Sequence, residues 1–162
     1  MRRWYRVSFL ATLGLVAALA PTFAADEPDL PARFELPTMK TSIFIGSVTL
    51  VTGAFTRGDD SYTSTYDAKV SPWSFWSESG TISLDIDAGD YERLRAGETI
   101  ELTGEAHNRK GKLRAITARA EPTDATTGKI KVRIIASGST LVFNGTYTVT
   151  PEATGAAVSV HN

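Results

Sequence analysis

The feature that most restricts what this chain can become is a run of period-two alternation from Thr99 to Val149, broken by glycine-containing turns. Successive side chains of a strand point to opposite faces, so a pairing slip of one residue would turn the whole apolar set outward. In Asn108-Arg109-Lys110-Gly111-Lys112 the glycine stands where a three-residue hairpin loop needs positive φ, which pairs Asn108 with Lys112. That register sets Ile100 opposite Ala120, Leu102 opposite Ala118 and Gly104 opposite Ile116 on one face, with Glu101 facing Arg119 on the other. Ser137-Gly138, read as a two-residue turn, sets Ile134 opposite Leu141, Val132 opposite Phe143 and Ile130 opposite Gly145. Turn chemistry and alternation are independent signals, and their agreement in both hairpins predicts an antiparallel meander.

Further strand signals lie at Ser42 to Thr52, Tyr62 to Val70 and Thr81 to Asp87, with turn residues between them. Ser42 to Thr52 is apolar on both faces, which predicts a strand covered on both sides or carrying a bulge. One short helix is expected near residues 88–96: Asp87 or Asp90 can cap it, Tyr91 and Leu94 share a side, and Gly97 ends it. Residues 25–40 hold Pro28, Pro31 and Pro37 and read as a Pro-rich linker or arm, the β domain spans 41–150, and 151–162 form a tail with at most a weak edge strand at Ala156 to Val160. The expected fold class is therefore all-β with one short helix: an antiparallel β-sandwich of about seven or eight strands, with a small closed β-barrel as the alternative. A lipid-embedded barrel fits poorly, because Glu101, Arg119, Lys129 and Lys131 occupy outward positions.

Ahead of this domain, Arg2, Arg3 and Arg6 precede an apolar stretch from Val7 to Ala20, and Thr22-Phe23-Ala24 offers small residues for cleavage after Ala24. That pattern reads as a signal peptide over 1–24, and the stretch is shorter than the roughly 20 residues needed to span a bilayer. The expectation is an exported protein, periplasmic or secreted, with no stable membrane insertion once the leader is removed. Losing the three leader arginines takes the formal charge from −1 to −4. A net-negative exported chain argues against a nucleic-acid partner. The 15 acids and 6 bases of Asp26 to Glu105 contrast with 3 acids and 8 bases after it, so charge is unevenly spread. The chain has no cysteine, which excludes thiolate metal sites and disulfides, and a domain of this size can bury a self-sufficient core.

The most unusual segment is Ser71-Pro72-Trp73-Ser74-Phe75-Trp76-Ser77. The plainer reading is a lid: in an extended segment Trp73 and Phe75 point one way and Trp76 the other, so part of the set closes the core. The sharper reading is a ligand face, in which Trp73, Phe75 and Trp76 stack on a sugar or an organic molecule while Tyr62 and Tyr66 supply polar contacts. Asp85, Asp87 and Asp90 offer carboxylates to a hard cation such as calcium, but their spacing matches no standard loop and alternation with Leu84 and Ile86 makes them a solvent face. No metal ligand set or cofactor is expected. Lys129, Lys131 and Arg133 form an outward cationic stripe, either a solvated face or a contact for an anionic polymer.

Of the two histidines, His107 falls beside a hairpin turn and His161 is penultimate. No nucleophile, metalloprotease or phosphate-loop motif occurs, and Asn144-Gly145-Thr146 has a glycosylation pattern only inside a predicted strand. The sequence thus favours a non-enzymatic protein that binds an envelope protein or glycan, or serves as a structural component there. The alternatives are a carbohydrate- or small-ligand-binding module built on the Trp73 to Trp76 segment and, behind it, a carboxylate-based hydrolase.

Overall fold

The computed structural model describes residues 30–58, 61–136 and 138–151. The expected leader over 1–24, the weak strand at Ala156 to Val160, and Ser137 lie outside the described residues.

Ten strands form one sheet: β1 (Arg33–Glu35), β2 (Met39–Ile43), β3 (Gly46–Thr52), β4 (Phe55–Arg57), β5 (Tyr62–Ser71), β6 (Glu78–Asp85), β7 (Ile100–Asn108), β8 (Leu113–Pro122), β9 (Thr127–Ala136) and β10 (Ser139–Thr150). All their pairings are antiparallel, and the order closes on itself. Phe34 of β1 lies opposite Val149 of β10, while β5 pairs with β3 and β4 on one side and β6 on the other. The two short pairs of strands each act as one stave. β1 and β2 keep a single register against the next stave, with Phe34 opposite Phe55 and Met39 opposite Leu50. Between β3 and β4 the register against β5 shifts by one residue, from Thr52 opposite Tyr66 to Thr56 opposite Thr63. This is a bulge at Gly53-Ala54, and it turns Phe55 inward after Val48 and Leu50. The result is an eight-stave, up-and-down antiparallel barrel.

The expected all-β class holds, and the closed barrel stands in place of the sandwich. Closure pairs β1 with β10 and β6 with β5, and so reduces the exposed edges that a sandwich would keep. The closing strand falls in the stretch expected as a linker. Pro31 and Pro37 bracket β1 without entering it, and Leu30, Phe34 and Leu36 bury their side chains. A second correction concerns Ser42 to Thr52, which is a hairpin rather than one strand: the chain reverses at Phe44-Ile45.

The meander over 99–149 has the expected register throughout. Ile100 faces Ala120, Gly104 faces Ile116, Ile134 faces Leu141 and Val132 faces Phe143. Gly111 and Gly138 adopt φ of 73° and 80°, the left-handed region their turns require.

An eight-stranded barrel is just wide enough for its own side chains to fill. Here small residues on β7–β10 face large ones. A side chain at Gly104 would meet Leu84, and one at Gly145 would meet Met39. A side chain at Gly128 would collide with the Tyr147 ring. Phe34 and Phe55 stack with centroids 4.5 Å apart, and Tyr62 tilts against Phe34.

Helix α1 (Ala88–Arg95) closes one end of the barrel. Asp87 caps it by accepting the Asp90 N–H at 2.7 Å. Behind Gly97, whose φ is 87°, Gly97 N–H donates to Leu94 O and Glu98 N–H to Arg93 O, satisfying the last carbonyls. Tyr91 is buried and Leu94 half-buried against the core. An apolar cavity of only about 30 Å³ remains beneath the helix, lined by Tyr91, Leu94, Tyr147 and their neighbours.

Candidate functional site

Strand connections of an up-and-down barrel alternate between its two ends. Opposite the helix, the aromatic end carries the Phe44-Ile45 turn, the β5–β6 connection, the 109–112 turn and the turn containing Gly138. The β5–β6 connection does not continue as an extended chain. It folds into a 3₁₀ turn (Ser74–Trp76) with no buried residue. Ser77 Oγ accepts the Val70 N–H at 2.9 Å and ties the turn back to β5.

This geometry corrects the lid reading. Trp73, Phe75 and Trp76 are 43%, 72% and 52% exposed. The three rings pack on one another, with centroid separations of 5.9 Å, 6.1 Å and 5.2 Å in tilted and edge-on arrangements. Rings that touch each other instead of the core keep one another rigid while their outer faces meet solvent.

Beneath them the barrel holds a polar cluster beside the apolar Ile43, Val70 and Leu141. Arg114 points inward from β8 and is 8% exposed. Its Nε donates to Glu78 Oε1 at 3.1 Å and its Nη2 to Glu78 Oε2 at 2.9 Å, a two-pronged pair. Asn108 Nδ2 donates to Glu78 Oε2 at 3.1 Å and Tyr66 OH to Glu78 Oε1 at 3.3 Å. The hydrogen bonds from Arg114 hold the Glu78 carboxyl below its ordinary range, against the opposing effect of burial. In return the Glu78 carboxylate raises Arg114. Burial first, then the charge and hydrogen bond of Glu78, push the Tyr66 phenol up to about 12. At neutral pH the cluster is therefore fixed as carboxylate, guanidinium and neutral phenol, with no member poised to exchange a proton.

Asn108 also organises the rim. Its Oδ1 accepts the N–H groups of Lys110 and Lys112, each at 2.9 Å, and Arg109 N–H donates to Ser79 O at 3.0 Å. The basic turn is thus anchored to the ion cluster and to β6. Between that turn and the aromatic knuckle lies an open cleft of about 610 Å³. Phe75, Trp76 and Ser77 form one wall, Asn108, Arg109, Lys110 and Lys112 the other, and Ala68, Glu78 and Arg114 the floor, with Lys69 and Asp67 at the margin. Five cations face two acids, one of which is already paired with Arg114.

Of the five residues expected to bind ligand, the structure brings Trp73, Phe75 and Trp76 together, and Phe75 and Trp76 line the cleft. Tyr66 lies under it, supporting Glu78. Tyr62 does not belong: it is buried, faces the helix end, and donates to the Pro31 carbonyl at 2.6 Å. Glu78, Asn108, Arg114 and the basic turn were not singled out from the sequence. One available signal was the alternation of β8, which places Arg114 on the same inward face as Ile116 and Ala118.

Other candidates have ordinary duties. A cleft of about 480 Å³ at the helix end is lined by Asp85, Asp87, Asp90 and Glu101. Asp85 accepts from Thr103 at 3.2 Å, Asp87 caps α1, and Asp90 and Glu101 lie 3.7 Å and 3.6 Å from Arg93 and Arg119. Among the described residues no group of three or more histidine and carboxylate side chains converges as a metal site. Lys129 and Lys131 are exposed on the outer wall of β9, as alternation requires.

Comparison of the chain with family models, curated proteins and solved structures finds no match.

Proposed function

We propose that this chain is an exported, non-enzymatic binding protein that holds a small anionic ligand with a flat apolar face, such as an acidic sugar, in the cleft at its aromatic end. The observation that carries the reading is the pairing of half-exposed rings with a positioned basic turn across one cleft. A flat ligand face stacks on Phe75 and Trp76, and its acid group meets Lys110 and Lys112. The locked state of Tyr66, Glu78 and Arg114 supports binding without catalysis, since those groups neither release nor accept a proton near neutral pH. Among the described residues, every carboxylate lining the helix-end cleft already has a partner in the fold, so that cleft offers less to a hydrolase.

Calorimetric titration with matched neutral and acidic sugars tests the reading. Binding of the acidic set, weakened at least about tenfold by Trp76→Ala and by Lys112→Glu, is expected. Absence of heat across the acidic set, or equal affinity for neutral counterparts, would rule it out.

A further inference from the structure

We infer that the aromatic end of the barrel is also a peripheral docking face for the surface of an anionic lipid bilayer. This goes beyond the ligand cleft: its apolar contacts Phe44, Ile45 and Trp73 do not line the cleft, while its cations Lys69, Arg109, Lys110 and Lys112 are shared with it.

The first observation is where apolar surface is left uncovered. The Phe44-Ile45 turn exposes Phe44 completely and Ile45 by 43%. Tight turns favour glycine, proline, asparagine and aspartate, because those residues satisfy turn geometry. Two large apolar side chains at a hairpin tip serve no such need. The tip lies against the aromatic connection, since a side chain at Gly46 would run into the Ser71 carbonyl and meet Pro72 Cδ at 3.1 Å. The tip thus neighbours the start of the aromatic connection, and Phe44, Ile45 and Trp73 are absent from the lining of the cleft. Leu113, at the start of β8, and Ile135, near the end of β9, are half-exposed at the same end. Every large apolar side chain exposed among the described residues belongs to this end of the molecule.

The second observation is charge. Lys69, Arg109, Lys110 and Lys112 stand exposed around these rings. The opposite end carries more acids than bases, with Asp85, Asp87, Asp90, Glu92 and Glu98 on and beside α1 against Arg57, Arg93 and Arg95. A barrel so polarised turns its basic, aromatic end toward an anionic plane and its acidic end away. Tryptophan settles at headgroup depth, where its ring is shielded and its N–H stays wet, and phenylalanine beside it buries its ring toward the acyl chains. Cations beside them each strengthen attachment to anionic lipid by about fivefold. A protein partner would also cover apolar surface, but a convex rim of separate tips ringed by cations suits a soft, charged plane better than a shaped protein face. The barrel wall stays in water, because its outward positions carry Glu101, Arg119, Lys129 and Lys131.

The test uses the protein purified in its exported form, with vesicles of phosphatidylcholine alone and of phosphatidylcholine mixed with phosphatidylglycerol. Trp73 and Trp76 are the only tryptophans beyond residue 24, so emission reports this end directly. Expected are co-sedimentation with the mixed vesicles, a blue shift of emission, and loss of both as salt rises. The double variant F44S/I45S should weaken vesicle binding by about tenfold. It should leave binding of acidic sugars in the cleft unchanged. No co-sedimentation with mixed vesicles, equal binding to both vesicle types, or a self-associated form that F44S/I45S converts to monomer would overturn the inference. Vesicle binding without ligand binding would sink the cleft reading alone, and the reverse result would sink docking alone.

Discussion

The two ends of this barrel solve the same problem with different materials. At the helix end, apolar side chains do the closing: Tyr91 is buried, Ile86, Ala88 and Leu94 pack beside it, and the acids of α1 stay in water. At the aromatic end, the hydrogen-bonded charge of Arg114, Glu78, Asn108 and Tyr66 shares the closing with Ile43, Val70 and Leu141, while the large rings stand outside. An end sealed without its rings leaves them free for recognition. The contrast therefore predicts that apolar residues matter to stability at one end and to binding at the other.

The largest effect should come from the helix end. Tyr91→Ala removes a buried ring from a packed lid and should lower unfolding free energy by about 3 kcal/mol in urea titration. A change within experimental error would mean that α1 is not the closing element. At the aromatic end the matching experiment is Glu78→Gln, which leaves the Arg114 guanidinium inside the barrel without its counter-charge. We expect a loss of about 2 kcal/mol, larger than for surface ion pairs. Because Glu78 is held below its unfolded value of 4.5, its contribution is complete above that pH and disappears as the pH falls through the lower folded value. Acid titration of stability should accordingly flatten in Glu78→Gln, and an unchanged acid limb would contradict the role given to this carboxylate.

Third in size is Asp87→Ala, which strips the helix of its N-cap and should cost about 1 kcal/mol. Thermal unfolding of Asp87→Ser, which keeps a capping oxygen and should retain most of that stability, separates the cap from other effects. Smallest of all, Trp76→Ala and Phe44→Ser should each change stability by less than about 0.5 kcal/mol, as surface residues do. If either matched Tyr91→Ala, the rings would belong to the core and the contrast between the ends would collapse.

The sequence exposes the regular half of this architecture and hides the closure. From β7 to β10 the pairing is readable because alternation and turn glycines are local signals that constrain each other. Asp87 and Gly97 are readable for the same reason, since each acts within one helical turn. The link from Phe34 to Val149 joins distant parts of the chain and has no local mark, and β1 is short enough to vanish between Pro31 and Pro37. The hairpin at Phe44-Ile45 is hidden because its tip lacks turn chemistry and looks like strand interior. The aromatic segment stands out by composition, but nothing in it announces a 3₁₀ turn, so alternation divides between two faces the rings that in fact form one knuckle. Arg114 lies within reach: extending the β7–β8 register places it opposite Ala106, an arginine on an apolar face that needs an acid such as Glu78.

The central claim is that Trp73 and Trp76 face water in the folded protein. Acrylamide quenching of tryptophan emission in protein produced from residue 25 onward, which retains only Trp73 and Trp76, compared before and after unfolding in urea, measures this directly. We predict a native emission red-shifted from that of a buried tryptophan and quenched at roughly half the rate of the unfolded chain, in line with the half-exposed rings. A blue-shifted, poorly quenched native emission would show that the rings are shielded and would contradict the account.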